Sequence, residues 1–228
     1  MSSVSASPNR GKFITFEGLD GCGKSTQLEK LAEALRAQSV KVITTREPGG
    51  TEIGERIRAV LLDSRTRGLD PYAEMALMFA SRAQLIAEVI LPALEAGSWV
   101  LCDRYTDSTE AYQGGGRQLG SKPVLRLHEL LCRNLWPDLT ILMDSDAGAS
   151  VKRARRRNKI AEQDENRFEK ESAAFFERVH SGFLEIAKRE PQRVVLVDAR
   201  PPIKTVHAHI VQLVKDRLMT RETTHAVR

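Results

Sequence analysis

Gly18-Leu19-Asp20-Gly21-Cys22-Gly23-Lys24-Ser25 fits the spacing G-x-x-x-x-G-K-[ST]. Those residue types in that order suit one chemistry, the binding of a nucleotide phosphate. Glycines let successive backbone N–H groups turn onto an anion, a lysine reaches the β- and γ-phosphates, and a following hydroxyl can ligate Mg²⁺. The reading gives phosphate contact to Gly18, Leu19, Asp20, Gly21, Cys22, Gly23, Lys24, Ser25 and Thr26, with Ser25 as a metal ligand. Cys22 takes part through its backbone, not its thiol.

Such a loop says that a phosphate binds and leaves the reaction open. Three further features narrow it. Arg46-Glu47-Pro48-Gly49-Gly50 sets an arginine and a rigid turn beyond a predicted strand, and Asp103-Arg104-Tyr105 sets a second arginine beside a carboxylate. Lys152, Arg153, Arg155, Arg156, Arg157 and Lys159 fall within eight residues. Phosphoryl transfer between two nucleotides needs this layout, because two polyanions must be brought in line and their repulsion cancelled. The basic run also admits plainer readings, a solvated helix face or a nucleic-acid contact. Aromatics are only 5% of the chain and none lies in the run to stack on bases.

The elements that position these residues alternate. Lys12 to Phe16 reads as a strand, and Thr26 to Gln38 as a helix with Leu28, Leu31, Ala32 and Leu35 on one face. Further strands are expected at Val40 to Thr44, Ser98 to Cys102, Leu139 to Met143 and Val194 to Val197. Helical patterns run over Ile53 to Leu62, Lys122 to Leu135, Phe168 to Arg189 and Pro201 to Leu218. Asp70-Pro71 starts a long helix reaching about Ala96, with Met75 and Leu85 in the core, a kink expected at Pro92 and a stop at Gly97. Gly114 to Gly116 reads as a loop. A helix from near Ala147 enters the basic run, and Asn158 to Asn166 is polar. The pattern predicts an α/β fold: a five-stranded parallel sheet with helices on both faces, binding ligands at the carboxyl ends of its strands.

At 228 residues the chain is expected to form one domain over 12–218, preceded by a polar leader (1–11) and followed by a frayed tail (219–228). The leader lacks the apolar centre of a secretory signal, and no apolar run reaches the length of a membrane span. Three cysteines without a CxxC pair suit a reducing cytoplasm. The net charge is +5.

From Lys12 to Leu218 the sequence resembles the thymidylate kinase family. The motifs that carry the resemblance are Phe16-Glu17-Gly18-Leu19-Asp20-Gly21, Thr45 to Gly50, Asp103-Arg104-Tyr105, Ala111-Tyr112-Gln113-Gly114 and Pro137-Asp138-Leu139-Thr140. It implies a P-loop nucleoside monophosphate kinase-like fold with a mobile lid at about 153–168. It implies phosphorylation of dTMP with ATP and Mg²⁺ by a cytoplasmic homodimer, without nucleic-acid or membrane partners. The implied roles place Asp20 at the deoxyribose 3′-hydroxyl, Arg104 and Arg46 on the dTMP phosphate and Arg58 nearby. Asp103 organises Mg²⁺ through water, Arg82 donates to thymine O4, and Thr109 and Gln113 read the base's other edge. Gly21 follows Asp20, so the loop offers no catalytic arginine and the lid must supply it. Arg157 is the candidate for the γ-phosphate and Arg153 for adenine, with Arg155 and Arg156 as substitutes. The family's base-stacking aromatic falls on Met78 here, and Phe79, one residue later, is preferred for that role.

Overall fold

The computed structural model describes residues 10–146, 148–150, 152, 153, 156 and 167–219. The expectations for Arg155, Arg157 and Asn158 to Asn166, and for most of the leader and tail, lie outside the described residues.

Five strands form one parallel sheet. They are β1 (Phe13–Glu17), β2 (Val42–Arg46), β3 (Trp99–Asp103), β4 (Leu139–Asp144) and β5 (Val194–Asp198), in the order β2-β3-β1-β4-β5. β1 is central and buried throughout. Its alternate side chains enter different cores. Phe13 packs with the helices that precede β3, whereas Ile14 and Phe16 pack under α1 (Lys24–Arg36) and the last helix, α8 (Ile203–Val214). Leu28, Leu31, Ala32 and Leu35 supply the inner face of α1, as the spacing predicts.

The register sets the site. Phe16 lies level with Asp103, and Arg46 lies level with Asp103 on the other side. Three neighbouring strands therefore end on one rim, and chain order reverses across β1 between β3 and β4. That switch point is where open parallel sheets leave a crevice for ligands.

α2 (Glu52–Leu62) and α3 (Pro71–Leu85) pack beside the rim. Asp70 caps α3 by accepting from Tyr72 N at 2.8 Å and Ala73 N at 3.2 Å, a cap worth about 1 kcal/mol. The long helix widens before Pro92: Ile86–Ile90 is a π-turn, followed by α4 (Leu91–Glu95). A proline ring clashes with the carbonyl four residues back, and a wider turn makes room for it. Met75 and Leu85 are buried, as expected. The expectation about membrane-length runs is amended, because Pro71–Glu95 meets the length and composition of a span. Half of its most apolar window is buried in this fold.

The segment after β3 departs from the sequence reading. Gly114 to Gly116 is helical: α5 (Thr106–Thr109) continues into a π-turn over Glu110–Gly116. The glycines serve close packing there. A Cβ on Gly116 would lie 2.5 Å from Phe175 Cε2, on α7 (Ala173–Arg189). α6 (Ser121–Leu131) stops earlier than expected, because Arg133 and Asn134 both adopt φ near +53°. The helical stretch from Phe168 is interrupted, and Ser172 begins α7 by accepting from Phe175 N at 3.2 Å.

Candidate active site

The phosphate-binding loop joins β1 to α1. Gly23 occupies the left-handed region (φ 100°) immediately before α1, and a Cβ there would meet nothing within 4 Å. The space in front of the helix N-terminus is thus open, as an anion site requires. Lys24 is 5% exposed, and its Nζ donates to Leu19 O at 2.9 Å, which holds the ammonium over the loop. Ser25 Oγ donates to Asp103 Oδ2 at 2.5 Å. The two side chains assigned to metal handling thus arrive at one point, Ser25 from the first turn of α1 and Asp103 from the end of β3.

A cavity of about 360 Å³ opens on this loop and runs inward along the rim. Of the sequence-assigned residues, Asp20, Gly21, Gly23, Lys24, Ser25, Thr26, Arg46, Arg58, Arg82, Asp103, Arg104, Thr109 and Gln113 line it. Gly18, Leu19 and Cys22 are buried and do not line it. Arg153 does not line the cavity but reaches the loop, its Nε donating to Gly21 O at 2.8 Å.

At the closed end Arg82 is 2% exposed. Its Nε donates to Glu47 Oε2 at 2.7 Å and its Nη2 to Thr109 Oγ1 at 2.9 Å, while Nη1 is buried without a partner among the described residues. Burial pushes the Glu47 carboxyl up to about 7 against the pull of the Arg82 charge. Removing one member of such a buried pair costs about 3–5 kcal/mol. Phe79 does not line the cavity. It is fully buried in the core, with the Arg82 guanidinium 4.8 Å from its ring centroid. Met78, one residue earlier and about 100° round the helix, lines the cavity instead. Phe79 therefore supports Arg82.

Arg104 stands midway. Its φ of 73° is unfavourable for a residue with a Cβ, by about 1–2 kcal/mol. Two hydrogen bonds pin the turn: Arg104 N donates to Phe16 O at 2.9 Å, and Tyr105 N donates to Glu17 Oε1 at 2.7 Å. The guanidinium donates to Asp20 Oδ1 and Ser108 Oγ, each at 2.8 Å, and lies 5.0 Å from the Tyr112 ring centroid. Arg46 is half exposed, 2.9 Å from Glu55, and Arg58 donates to Pro48 O at 2.9 Å.

Sequence reasoning gave no role to Glu17, Glu47, Ser108, Tyr112 or Phe168. Of the two carboxyls among them, Glu17 is the more perturbed. It is fully buried, and burial followed by the nearby Asp107 charge pushes its carboxyl up to about 8. Its Oε2 accepts from Ser108 Oγ at 2.5 Å, which links it to Arg104. Three of the five lie within quoted motifs, but only the tertiary structure shows what they touch.

A family model described as "Thymidylate kinase" matches residues 16–210. The thymidylate kinase of Pelobacter propionicus is 44% identical over 219 residues, covering 95% of this chain and 99% of its own. That of Magnetococcus marinus is 46% identical over 209 residues, covering 91% and 97%. A crystal structure of thymidylate kinase from Ehrlichia chaffeensis matches with a TM-score of 0.73 at 32% identity, covering 90% of this chain and 99% of that one.

Proposed function

The chain belongs to the thymidylate kinase family and phosphorylates dTMP to dTDP, and we propose that the cavity does so by direct in-line transfer from ATP. The observation that carries this assignment of roles is the single cavity joining the phosphate-binding loop to the buried Arg82, Thr109 and Gln113.

The acceptor enters base first. Arg82 donates toward thymine O4, and Thr109 and Gln113 meet the adjoining edge. Met78 and Phe168 in the cavity wall supply apolar faces for the ring. The deoxyribose then lies near Asp20 and Tyr112, whose hydroxyl is 3.3 Å from Asp20 Oδ2. In this reading the Asp20–Arg104 pair opens, Asp20 accepts from the 3′-hydroxyl, and Arg104 with Arg46 takes the phosphate. The Glu17–Ser108 pair holds Arg104 in place as its partner changes.

The donor phosphates occupy the loop. Gly23's open face and the α1 N-terminus receive them, and Lys24 lies beneath. Ser25 and Asp103 would hold Mg²⁺, a hard cation that favours oxygen ligands and, when bound, offsets charge on the donor phosphates. The acceptor phosphate oxygen needs no base to attack, so the protein's task is positioning and charge stabilisation. The segment 153–168 closes over the donor as the lid of a unit spanning 12–218. Arg153 holds Gly21 O, and the role proposed for Arg157 is to meet the transferring phosphoryl group.

The enzyme is read as a cytoplasmic homodimer. Its three cysteines are buried thiols, and Ala73, Ala76, Ala80 and Ala87 leave a small-residue stripe exposed on the long helix for a second copy. A monomer in sedimentation at micromolar concentration would remove that surface from the account. The function test is ADP release with ATP, Mg²⁺ and a panel of dTMP, dUMP, dCMP and AMP. Release should favour dTMP. Release with another monophosphate and not with dTMP would discard the base contacts while keeping the loop.

A further inference from the structure

Glu74 lies on α3, is fully buried, and touches neither the loop nor the phosphate-facing arginines. Three hydrogen bonds and one further ion pair converge on its carboxylate. Gln113 Nε2 donates to Oε1 at 2.8 Å, and Arg117 donates through Nε to Oε1 and through Nη2 to Oε2, each at 3.1 Å. Arg167 Nη2 forms an ion pair with Oε2 at 2.7 Å. Burial would push this carboxyl up, but the Arg117 and Gln113 hydrogen bonds hold it below its ordinary value, so it remains an acceptor.

An ionised carboxylate can only accept. It therefore fixes the nitrogen of the Gln113 amide toward itself and turns the oxygen away. Gln113 lines the base end of the cavity, so the group it can offer there is a carbonyl. A carbonyl accepts from the N3–H of a thymine or uracil ring. Against cytosine it meets the N3 lone pair, acceptor facing acceptor. The same carboxylate governs the wall above the base: the Arg117 and Arg167 guanidiniums lie 5.6 Å and 4.5 Å from the Phe168 ring centroid, and Phe168 lines the cavity.

We propose that Glu74 is a positioning residue: it sets base selectivity by orienting the Gln113 amide, and it holds Phe168 over either pyrimidine alike through Arg117 and Arg167. The inference rests on reading Gln113 as a base contact. It assigns the preference for lactam pyrimidines over cytosine to a side chain that never touches the base.

The test is the ratio of kcat/KM for dTMP over dCMP, and for dTMP over dUMP, in wild type, E74Q, E74D, Q113L and the double variant E74Q/Q113L. Each ratio is taken on one preparation, so it does not depend on the fraction of active enzyme. In E74Q the carbonyl oxygen is drawn to the Oε2 position, which faces the Nη2 atoms of both Arg117 and Arg167, and the new NH₂ faces Gln113. Gln113 then turns over and presents its NH₂ to the base. The dTMP-over-dCMP ratio should fall by about tenfold or more, the size of one mispaired buried polar group. The dTMP-over-dUMP ratio should hold within about twofold, since both rings carry N3–H and differ by one methyl. E74D keeps the charge but withdraws it from Gln113, so it should lower the first ratio even if E74Q yields no folded protein. Adding E74Q to Q113L should change the first ratio no further. If Q113L collapses the ratio while E74Q and E74D retain it, Glu74 is merely structural and the inference fails alone. If Q113L also leaves the ratio unchanged, the base reading fails and takes the inference with it.

Discussion

Glu17→Gln should make the protein more resistant to unfolding in alkali than wild type. Glu17 is a fully buried carboxyl pushed up to about 8, from an ordinary 4.5, by burial and by Asp107. Between those two values the folded protein holds a proton that the unfolded chain has released. The unfolded state then binds fewer protons, so stability falls as pH rises through the window. Wild type keeps its full stability from this group below pH 4.5 and has lost it above about pH 8. At about 1.4 kcal/mol per pH unit, the loss amounts to roughly 5 kcal/mol at most. The amide of the variant does not titrate. Its oxygen still accepts from Tyr105 N, which lies 2.7 Å from Oε1, and its NH₂ can donate to Ser108 Oγ. Urea unfolding at pH 5 and pH 9 reads the difference. At pH 5 the two proteins should agree within about 1–2 kcal/mol, the worth of a rearranged hydrogen bond. By pH 9 the difference should have moved in the variant's favour by several kcal/mol. Glu47, pushed up to about 7, contributes to both proteins and cancels. A wild-type-minus-variant difference that is the same at pH 5 and pH 9 would refute a buried, titrating Glu17.

Other substitutions probe the loop, the lid and the packing. Lys24→Ala should lower kcat by about 10²–10³ or more, with the melting midpoint within a few degrees of wild type, because it removes charge stabilisation from the transferring group; near-normal turnover would remove Lys24 from the phosphates. Arg157→Ala should lower kcat more than it raises KM for dTMP, and a change in KM(dTMP) alone would place that arginine at the acceptor. Gly116→Ala drives a Cβ to within 2.5 Å of Phe175 and should cost about 1–3 kcal/mol, read as a midpoint lowered by about 2–10 °C; an unchanged midpoint would mean that the two helices are not in close contact.

What the sequence made legible was local. The loop motif fixes its own neighbours, and the alternation of short apolar runs with helical spacing yields the parallel sheet and its five strands. Because strand ends share a rim in such a sheet, sequence position alone groups Arg46, Asp103 and Arg104. The readings that failed depended on angle or on distant partners. Met78 and Phe79 are adjacent in sequence but about 100° apart on α3, so one faces the cavity and the other the core. Gly114 to Gly116 has poor helix propensity, and only the approach of Phe175 and Val179 from α7 explains why it is helical. Glu74 has no motif: its partners Gln113, Arg117 and Arg167 lie 39 to 93 positions away. Glu17 was quoted within a motif, but its shifted carboxyl is a consequence of burial, which a sequence does not display.

The central claim is that one cavity holds dTMP and ATP together and passes the phosphoryl group directly between them. Rapid quenching of a single turnover with γ-³²P-labelled ATP, Mg²⁺ and dTMP tests it most directly. The label should pass from ATP to dTDP at one rate, with none on the protein at any time. Label that appears first on the protein and then in dTDP would contradict direct transfer, and ATP hydrolysis without labelled dTDP would contradict the acceptor site itself.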